Sequence, residues 1–142
     1  MASTYFDPPP PRVLAHRGLA TEAPENTLLA FANAAAVGTA YIETDVHVSS
    51  DGIAVVSHDP SLARVAARKI EVAQLTMAEL RRVDLGMGQG FASLEEALDA
   101  FPDLRFNVDV KVAGAVRPTV AALVRTRAAS RVLREALATC SG

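Results

Sequence analysis

Residues 39–48 read Thr-Ala-Tyr-Ile-Glu-Thr-Asp-Val-His-Val, and residues 105–112 read Arg-Phe-Asn-Val-Asp-Val-Lys-Val. Both stretches are rich in β-branched residues, which predicts two strands. Because side chains alternate across a strand, Glu43 and Asp45 share one face of the first strand, and Asp109 lies on one face of the second. The opposite face of each strand is mostly apolar. Each strand is therefore suited to packing against helices on one side while it carries charge on the other.

Shorter elements flank these two strands, and strands alternate with helices along the chain. The predicted elements are a strand at Val13–Ala15, a helix capped by Asn26, the strand at 39–48, a strand at Ile53–Ser57, helices capped by Thr76 and Ser93, the strand at 105–112 and a last helix from Pro118 to about Ala138. Residues 61–72 are predicted to be irregular. Four strands in this order indicate an α/β fold with a parallel sheet.

Composition narrows the possible functions. The chain has 142 residues with a net charge of -2, which fits one domain and gives no basic surface for nucleic acid or an anionic membrane. No apolar run approaches the ~20 residues of a membrane span, so we expect no transmembrane segment. The single Cys140 and a start without signal-peptide features predict a cytoplasmic protein. Residues 1–11 are predicted to be a proline-rich lead-in, with Pro8–Pro11 in a polyproline II conformation, and residues 12–142 the folded domain.

Polar residues collect where the predicted strands end. His16, Arg17 and His58 follow the first and third strands. In parallel α/β folds and in barrels, ligands bind at the carboxyl ends of the strands. Three carboxylates converging at this edge would repel one another unless a cation lay between them, and oxygen ligands favour Mg²⁺ or Ca²⁺. The residue types therefore point to a metal-assisted reaction with proton transfer by histidine.

Each of these residues also has a simpler interpretation. A single histidine at a strand end is more often a structural hydrogen-bonding group than a catalyst. The Glu43 and Asp45 pair, taken alone, is compatible with a solvated edge strand. The Asp109 and Lys111 pair, taken alone, is compatible with a surface ion pair. His47 is interpreted as structural or supporting, and Arg64, Arg68 and Lys69 as a solvated loop surface. The functional interpretation depends on all the residues lying at one edge of the sheet.

The order and spacing of these residues resemble the glycerophosphodiester phosphodiesterase family from about residue 13 to about residue 133. The matching motifs are His16-Arg17-Gly18, Pro24-Glu25-Asn26-Thr27, Glu43-Thr44-Asp45-Val46, His58-Asp59 and Asn107-Val108-Asp109-Val110-Lys111, with Leu75 to Leu80 and Ser93 to Leu98 between them. The resemblance implies a (β/α)₈ TIM barrel, a divalent metal and a small-molecule glycerophosphodiester substrate. Residues 59–93 match the small insertion that these phosphodiesterases carry.

The resemblance also implies roles for individual residues. They are two catalytic histidines, His16 and His58; substrate phosphate contacts from Arg17 and Lys111; and three metal ligands, Glu43, Asp45 and Asp109. Asp109 stands where most members have glutamate, which shortens its reach by one methylene. The implied reaction is hydrolysis of a glycerophosphodiester to an alcohol and glycerol phosphate. Which histidine acts as acid and whether the metal is Mg²⁺ or Ca²⁺ both stay open.

One feature departs from the family pattern. Eight βα units need roughly 250 residues, whereas only about four strands are predicted here, so we expect an incomplete barrel from a truncated chain. Residues 131–133 resemble the start of a fifth strand that residues 134–142 do not continue. Unpaired edges at the first and fourth strands predict self-association. The alternative function is a catalytically inactive metal-binding or interaction fragment of such an enzyme.

Overall fold

The computed structural model describes Tyr5, residues 14–18 and residues 20–135. The strands are β1 (Leu14–His16), β2 (Tyr41–Val48), β3 (Ala54–Val56), β4 (Arg105–Val110) and β5 (Val132–Glu135). The helices are α1 (Leu28–Ala36), α2 (Ala63–Ala66), α3 (Met77–Arg81), α4 (Leu94–Ala100) and α5 (Val116–Thr126). The predicted lead-in Pro8–Pro11 and Cys140 lie outside the described residues.

The strands form one sheet in the order β1-β2-β4-β5, with every neighbouring pair parallel. The short strand β3 instead pairs antiparallel with the end of β2, because only a tight turn joins the two. The predicted α/β architecture with a parallel sheet is confirmed. An open sheet of this kind is one arc of a barrel.

The end of the described chain differs from the prediction. Helix α5 ends at Thr126, and Arg127 adopts the left-handed conformation with a φ of 55°. The predicted extension of this helix to Ala138 is therefore wrong. A fifth strand follows and pairs with β4. The predicted strand start at residues 131–133 is therefore confirmed, whereas the strand continues through residues 134 and 135, where it was expected to stop. Among the described residues the outer strands are β1 and β5, not β1 and β4.

The side chains of β2 and β4 lie on the faces of the sheet that the sequence predicts. Strand β2 pairs with β4 so that Glu43 lies opposite Asn107 and Asp45 lies opposite Asp109. On the other face, the apolar side chains join one buried core with helices α1, α4 and α5; they include Ile42, Val46, Phe106, Val108 and Val110. Burying a side chain of this size contributes roughly 1.5–3 kcal/mol. The core thus fixes which face carries the charges.

The start of α1 differs from the prediction by one residue. Thr27, not Asn26, is the N-cap, since its hydroxyl accepts a hydrogen bond from the Ala30 amide at 3.2 Å. Asn26 adopts a left-handed φ of 55°, and this turns its side chain away from the helix. The predicted capping boxes at Thr76 and Ser93 are confirmed.

The segment between β3 and α4 is more ordered than predicted. It contains α2 and a 3₁₀ turn at Val72–Gln74, where residues 61–72 were predicted to be irregular. Helix α3 follows, as the capping box at Thr76 predicts. Its apolar residues form a second buried cluster against β3, including Val55, Leu62, Leu80 and Phe91. This cluster holds α2 beside the end of β3. No helix within the described residues has both the length and the apolar character to cross a membrane.

Candidate active site

The turn after β1 aims Arg17 at strand β2. The Arg17 amide donates to the Glu43 carbonyl at 2.7 Å, and the Asn26 amide donates to the Arg17 carbonyl at 2.9 Å. Arg17 has a φ of 55° and Gly18 a φ of 79°. A Cβ on Gly18 would lie 2.8 Å from two atoms of Ala30, so the turn can pack against α1 only with glycine at this position. The His-Arg-Gly sequence is thus a packing requirement as well as a source of functional groups.

Two cations approach the buried carboxylate of Asp45, which is 1% exposed. Arg17 Nε lies 3.7 Å from Asp45 Oδ2, and Lys111 Nζ lies 3.6 Å from Asp45 Oδ1. Lys111 Nζ also lies 2.8 Å from Asp109 Oδ2. The structure therefore brings Arg17, Asp45, Asp109 and Lys111 together, at the strand ends where the sequence predicts them.

Glu43 occupies an unusual electrostatic position. Burial, followed by the charge of neighbouring Asp45, raises the pKa of Glu43 to about 7. His16 Nε2 lies 3.2 Å from Glu43 Oε2. The approach does not have hydrogen-bonding geometry, and this buried oxygen has no hydrogen-bond partner among the described residues. A buried oxygen without a partner beside a second carboxylate is a favourable environment for a hard cation.

The predicted set of three metal ligands is not preformed. Within the described part of the chain, no group of three or more His, Cys, Asp or Glu side chains is arranged to hold a metal ion. Glu43 and Asp45 fit a divalent cation by their oxygen donors and proximity. Asp109 lies on the same face, but its carboxylate pairs with Lys111 instead. Lys111 lies two residues further along the same face, so its ammonium is within reach of the Asp109 carboxylate.

His58 is held by groups from three segments. Its Nδ1 lies 3.0 Å from Asp59 Oδ1, and Asp59 Oδ2 accepts from Arg64 Nε at 2.7 Å. The ring of His47 donates from Nε2 to the His58 carbonyl at 3.1 Å. Burial lowers the pKa of His47, so this ring is a neutral support for the His58 backbone. His47 thus has the supporting position that the sequence predicts.

Two further residues belong to this site, although their sequence context does not indicate it. Arg64, interpreted as solvated, donates from its two terminal nitrogens to Glu25 Oε1 and Oε2 at 2.6 and 2.8 Å. Asn26, interpreted as a helix cap, accepts from the Thr44 hydroxyl at 2.7 Å and donates to Asp45 Oδ2 at 3.4 Å. These partners are 39 and about 19 residues apart in sequence, so no local pattern reveals them.

A cavity of about 260 Å³ opens beside His58. Its wall is apolar on the side of the segment between β3 and α4, with Val65, Leu85 and Phe91, and polar where Glu25 and Arg64 meet. His58 also lines this cavity, so a molecule bound there would lie against this residue. The rim thus combines two imidazoles, two cations, paired carboxylates and a small adjoining cavity.

The chain thus combines a parallel α/β sheet with a charged rim at the carboxyl edge of that sheet, which is where α/β barrels bind their ligands. Residues 16–138 match the profile of the Glycerophosphoryl diester phosphodiesterase family. The match covers most of the chain, and the chain belongs to this family.

Known proteins agree with this assignment. The chain is 43% identical over 121 residues to the "Probable glycerophosphodiester phosphodiesterase 2" of Mycobacterium tuberculosis, covering 84% of this chain and 46% of that protein. It is also similar to the solved glycerophosphoryl diester phosphodiesterase domain of another M. tuberculosis protein, with a TM-score of 0.82 and 28% identity over 90% of this chain and 53% of that one. An Oleispira antarctica phosphodiesterase, solved with the product sn-glycerol-3-phosphate, gives a TM-score of 0.77 and 29% identity over 89% of this chain and 57% of that one. The chain spans about half the length of the relatives it matches.

Proposed function

We propose that this chain carries the catalytic rim of a metal-dependent phosphodiesterase that hydrolyses glycerophosphodiesters to an alcohol and glycerol phosphate. The observation that supports this most is the convergence of Arg17, Lys111 and the carboxylates of Glu43 and Asp45 at one end of the sheet. The product complex of the Oleispira relative supports glycerol phosphate as one product. A small-molecule diester is the substrate class that such a site suits.

The cationic side chains suit the charge of the substrate. A phosphodiester is an anion that gains negative charge toward the transition state, and positioned cations stabilise that charge. Arg17 and Lys111 are the proposed phosphate contacts, each already turned toward Asp45. The guanidinium of Arg17 offers two parallel N–H groups to phosphate oxygens, whereas Lys111 offers a point charge.

The two imidazoles suit the proton transfers. With Nδ1–H of His58 donated to Asp59, its Nε2 carries the lone pair and can accept a proton from the attacking water. His16, whose side chain is 68% exposed, is the proposed acid that protonates the leaving alcohol. Replacement of either histidine by alanine should lower kcat roughly 10²-fold or more.

Glu43, Asp45 and Asp109 are the proposed metal ligands, with Mg²⁺ or Ca²⁺ as the expected cation. When bound, the cation would supply electrostatic stabilisation of the phosphoryl oxygens. Asp109 can bind a metal only when its carboxylate separates from the ammonium of Lys111. We therefore expect Asp109→Glu, whose longer side chain reaches further, to raise metal affinity. We expect Asp109→Asn to lower it.

Hydrolysis of bis(4-nitrophenyl) phosphate by the purified chain tests the proposal. Activity should vanish on chelation, return with Mg²⁺ or Ca²⁺ and fall in His16→Ala and His58→Ala. Arg68→Gln serves as a matched control, because Arg68 is exposed and lies in the same segment as Arg64. Calorimetric titration with metal alone reports the ligand residues independently of turnover. Full activity in the presence of chelator would contradict the proposed metal dependence. No turnover with any divalent metal would contradict the proposed phosphodiesterase activity. The cytoplasmic location stays a prediction.

A further inference from the structure

Arg64 connects the part of the charged rim around His58 with the part around Arg17. It uses all three guanidinium nitrogens, with Nε on Asp59 and the two terminal nitrogens on the two oxygens of Glu25. Asp59 in turn contacts the ring of His58, and Glu25 accepts from a terminal nitrogen of Arg17 at 3.2 Å. A continuous chain of hydrogen bonds and ion pairs therefore runs from His58 through Arg64 to Arg17.

We propose that Arg64 is a positioning residue that fixes the His58 ring and the Arg17 guanidinium relative to each other. This inference rests on the proposed phosphodiesterase function, in which His58 transfers a proton and Arg17 binds the phosphate. Arg64 itself lies on α2, in the segment inserted between β3 and α4, and acts through Asp59 and Glu25. The inserted segment thereby contributes to the geometry of the reaction.

The contacts favour a geometric role over a stabilising one. The Arg64 side chain is 50% exposed, and exposed ion pairs contribute little to folding stability. The second buried cluster already anchors α2 by apolar contacts through Leu62. By contrast, the planar fork of Arg64 fixes direction at both of its partners, which a point charge cannot do.

Glu25 and Asp59 are held in the ionised form, which this positioning role requires. Hydrogen bonds from Arg64, the largest effect, lower the pKa of Glu25 despite its partial burial. Burial would raise the pKa of Asp59, but hydrogen bonds and charge from Arg64 and His58 outweigh it and lower the value. Both groups therefore stay ionised acceptors at neutral pH, so that Asp59 can orient the N–H of the His58 ring.

Sequence and chemistry supply matched variants. Arg64→Gln removes the charge and two of the three donor directions, and Arg64→Lys keeps the charge without the fork. Arg68→Gln makes the same charge change four residues away at an exposed position. The combined change Glu25→Gln with Asp59→Asn removes both anionic partners and leaves Arg64 in place.

Steady-state kinetics on bis(4-nitrophenyl) phosphate is the first measurement. Arg64→Gln should lower kcat roughly 10-fold to 100-fold, because small displacements of reacting groups have effects of this size. Arg64→Lys should recover only part of the rate, and Arg68→Gln should match wild type. In the background that lacks both anionic partners, Arg64→Gln should have little further effect, since residues acting through one network are not additive.

Histidine labelling with diethyl pyrocarbonate, mapped by mass spectrometry, is a second measurement that does not depend on turnover. His58 has a side chain 34% exposed, His16 one that is 68% exposed, and His47 is buried. Arg64→Gln should speed labelling of His58 several-fold while His16 and His47 keep their rates.

The two measurements separate the possible failures. If wild type hydrolyses no phosphodiester, the proposed function fails, and the labelling pattern still decides the role of Arg64. The positioning role is overturned if Arg64→Gln and Arg68→Gln have the same rate of His58 labelling and the same kcat. Should Arg64→Gln prove unfolded by its melting curve, Arg64→Lys decides in its place: full activity with wild-type labelling would overturn the proposal.

Discussion

Asn26 is the residue whose replacement tests the construction of the site most sharply. It is 3% exposed, and its side chain links the turn before α1 to Thr44 and Asp45 on β2. Its φ of 55° is accessible to glycine without strain. Asn26→Gly therefore removes the two side-chain hydrogen bonds, while the backbone at this position can keep its left-handed conformation.

The expected loss follows from the burial of the partners. Thr44 is fully buried, so its hydroxyl loses the acceptor that it has in the folded protein. Leaving a buried polar group unpaired costs about 1–3 kcal/mol. The longer contact from Asn26 to Asp45, at 3.4 Å, adds less. We expect Asn26→Gly to lower the free energy of unfolding by about 1–3 kcal/mol.

A double-mutant cycle isolates the hydrogen bond. Thr44→Val replaces the hydroxyl with a methyl group and leaves the Asn26 carbonyl unpaired. The double variant should be more stable than the sum of the two losses predicts, by on the order of 1 kcal/mol, because the two residues share the bond. Urea unfolding followed by circular dichroism gives all four values. Effects that add within about 0.3–0.5 kcal/mol would refute the contact.

Three further predictions concern acid stability, packing and assembly. The pKa values of Glu25 and Asp59 are lowered from 4.5 and 3.8, so their stabilisation is present above those values and is lost as the pH falls through the lower values of the folded state. Because the Arg64 ion pairs are half-exposed, the melting temperature of wild type should exceed that of Arg64→Gln only slightly. This small difference should be larger at pH 7 than at about pH 3, and an equal difference at both pH values would contradict the pairing. Gly90→Ala would place a Cβ 2.1 Å from the carbonyl oxygen at the end of α3 and should destabilise the protein by roughly 1–3 kcal/mol. At Gly114 the added Cβ meets only an ordinary 3.5 Å contact, so Gly114→Ala is the control, and equal losses in both would show that the clash is absent. Self-association through the outer strands β1 and β5 stays a prediction, and light scattering that shows a monodisperse monomer at all concentrations would contradict it.

The sequence predicts the central strands and their faces because alternation is a local property. Glu43, Asp45 and Asp109 lie on one face for the same reason that Ile42 and Val108 lie on the other. The predicted position of the site follows from parallel pairing, which brings the carboxyl ends of strands to one edge. Local patterns were therefore sufficient for the fold class and for the location of the charged residues.

Long-range partners are what the sequence does not reveal. Nothing in residues 61–72 indicates that Arg64 contacts Glu25, because the contact exists only once the segment between β3 and α4 packs on β3. The start of the fifth strand is visible in residues 131–133, but its continuation to Glu135 depends on pairing with β4. Asn26 has the residue type of a helix cap, yet the adjacent Thr27 takes that role and Asn26 contacts β2 instead.

Phosphorus NMR of glycerophosphocholine incubated with the purified, metal-loaded chain tests the central claim most directly. The proposed function predicts that the diester resonance declines while the monoester resonance of glycerol phosphate rises in equal amount. His58→Ala, with a melting curve and metal affinity like those of wild type, should leave the diester intact over the same period. A diester resonance unchanged in the folded, metal-bound wild-type chain would contradict the claim, as would an unchanged rate in His58→Ala.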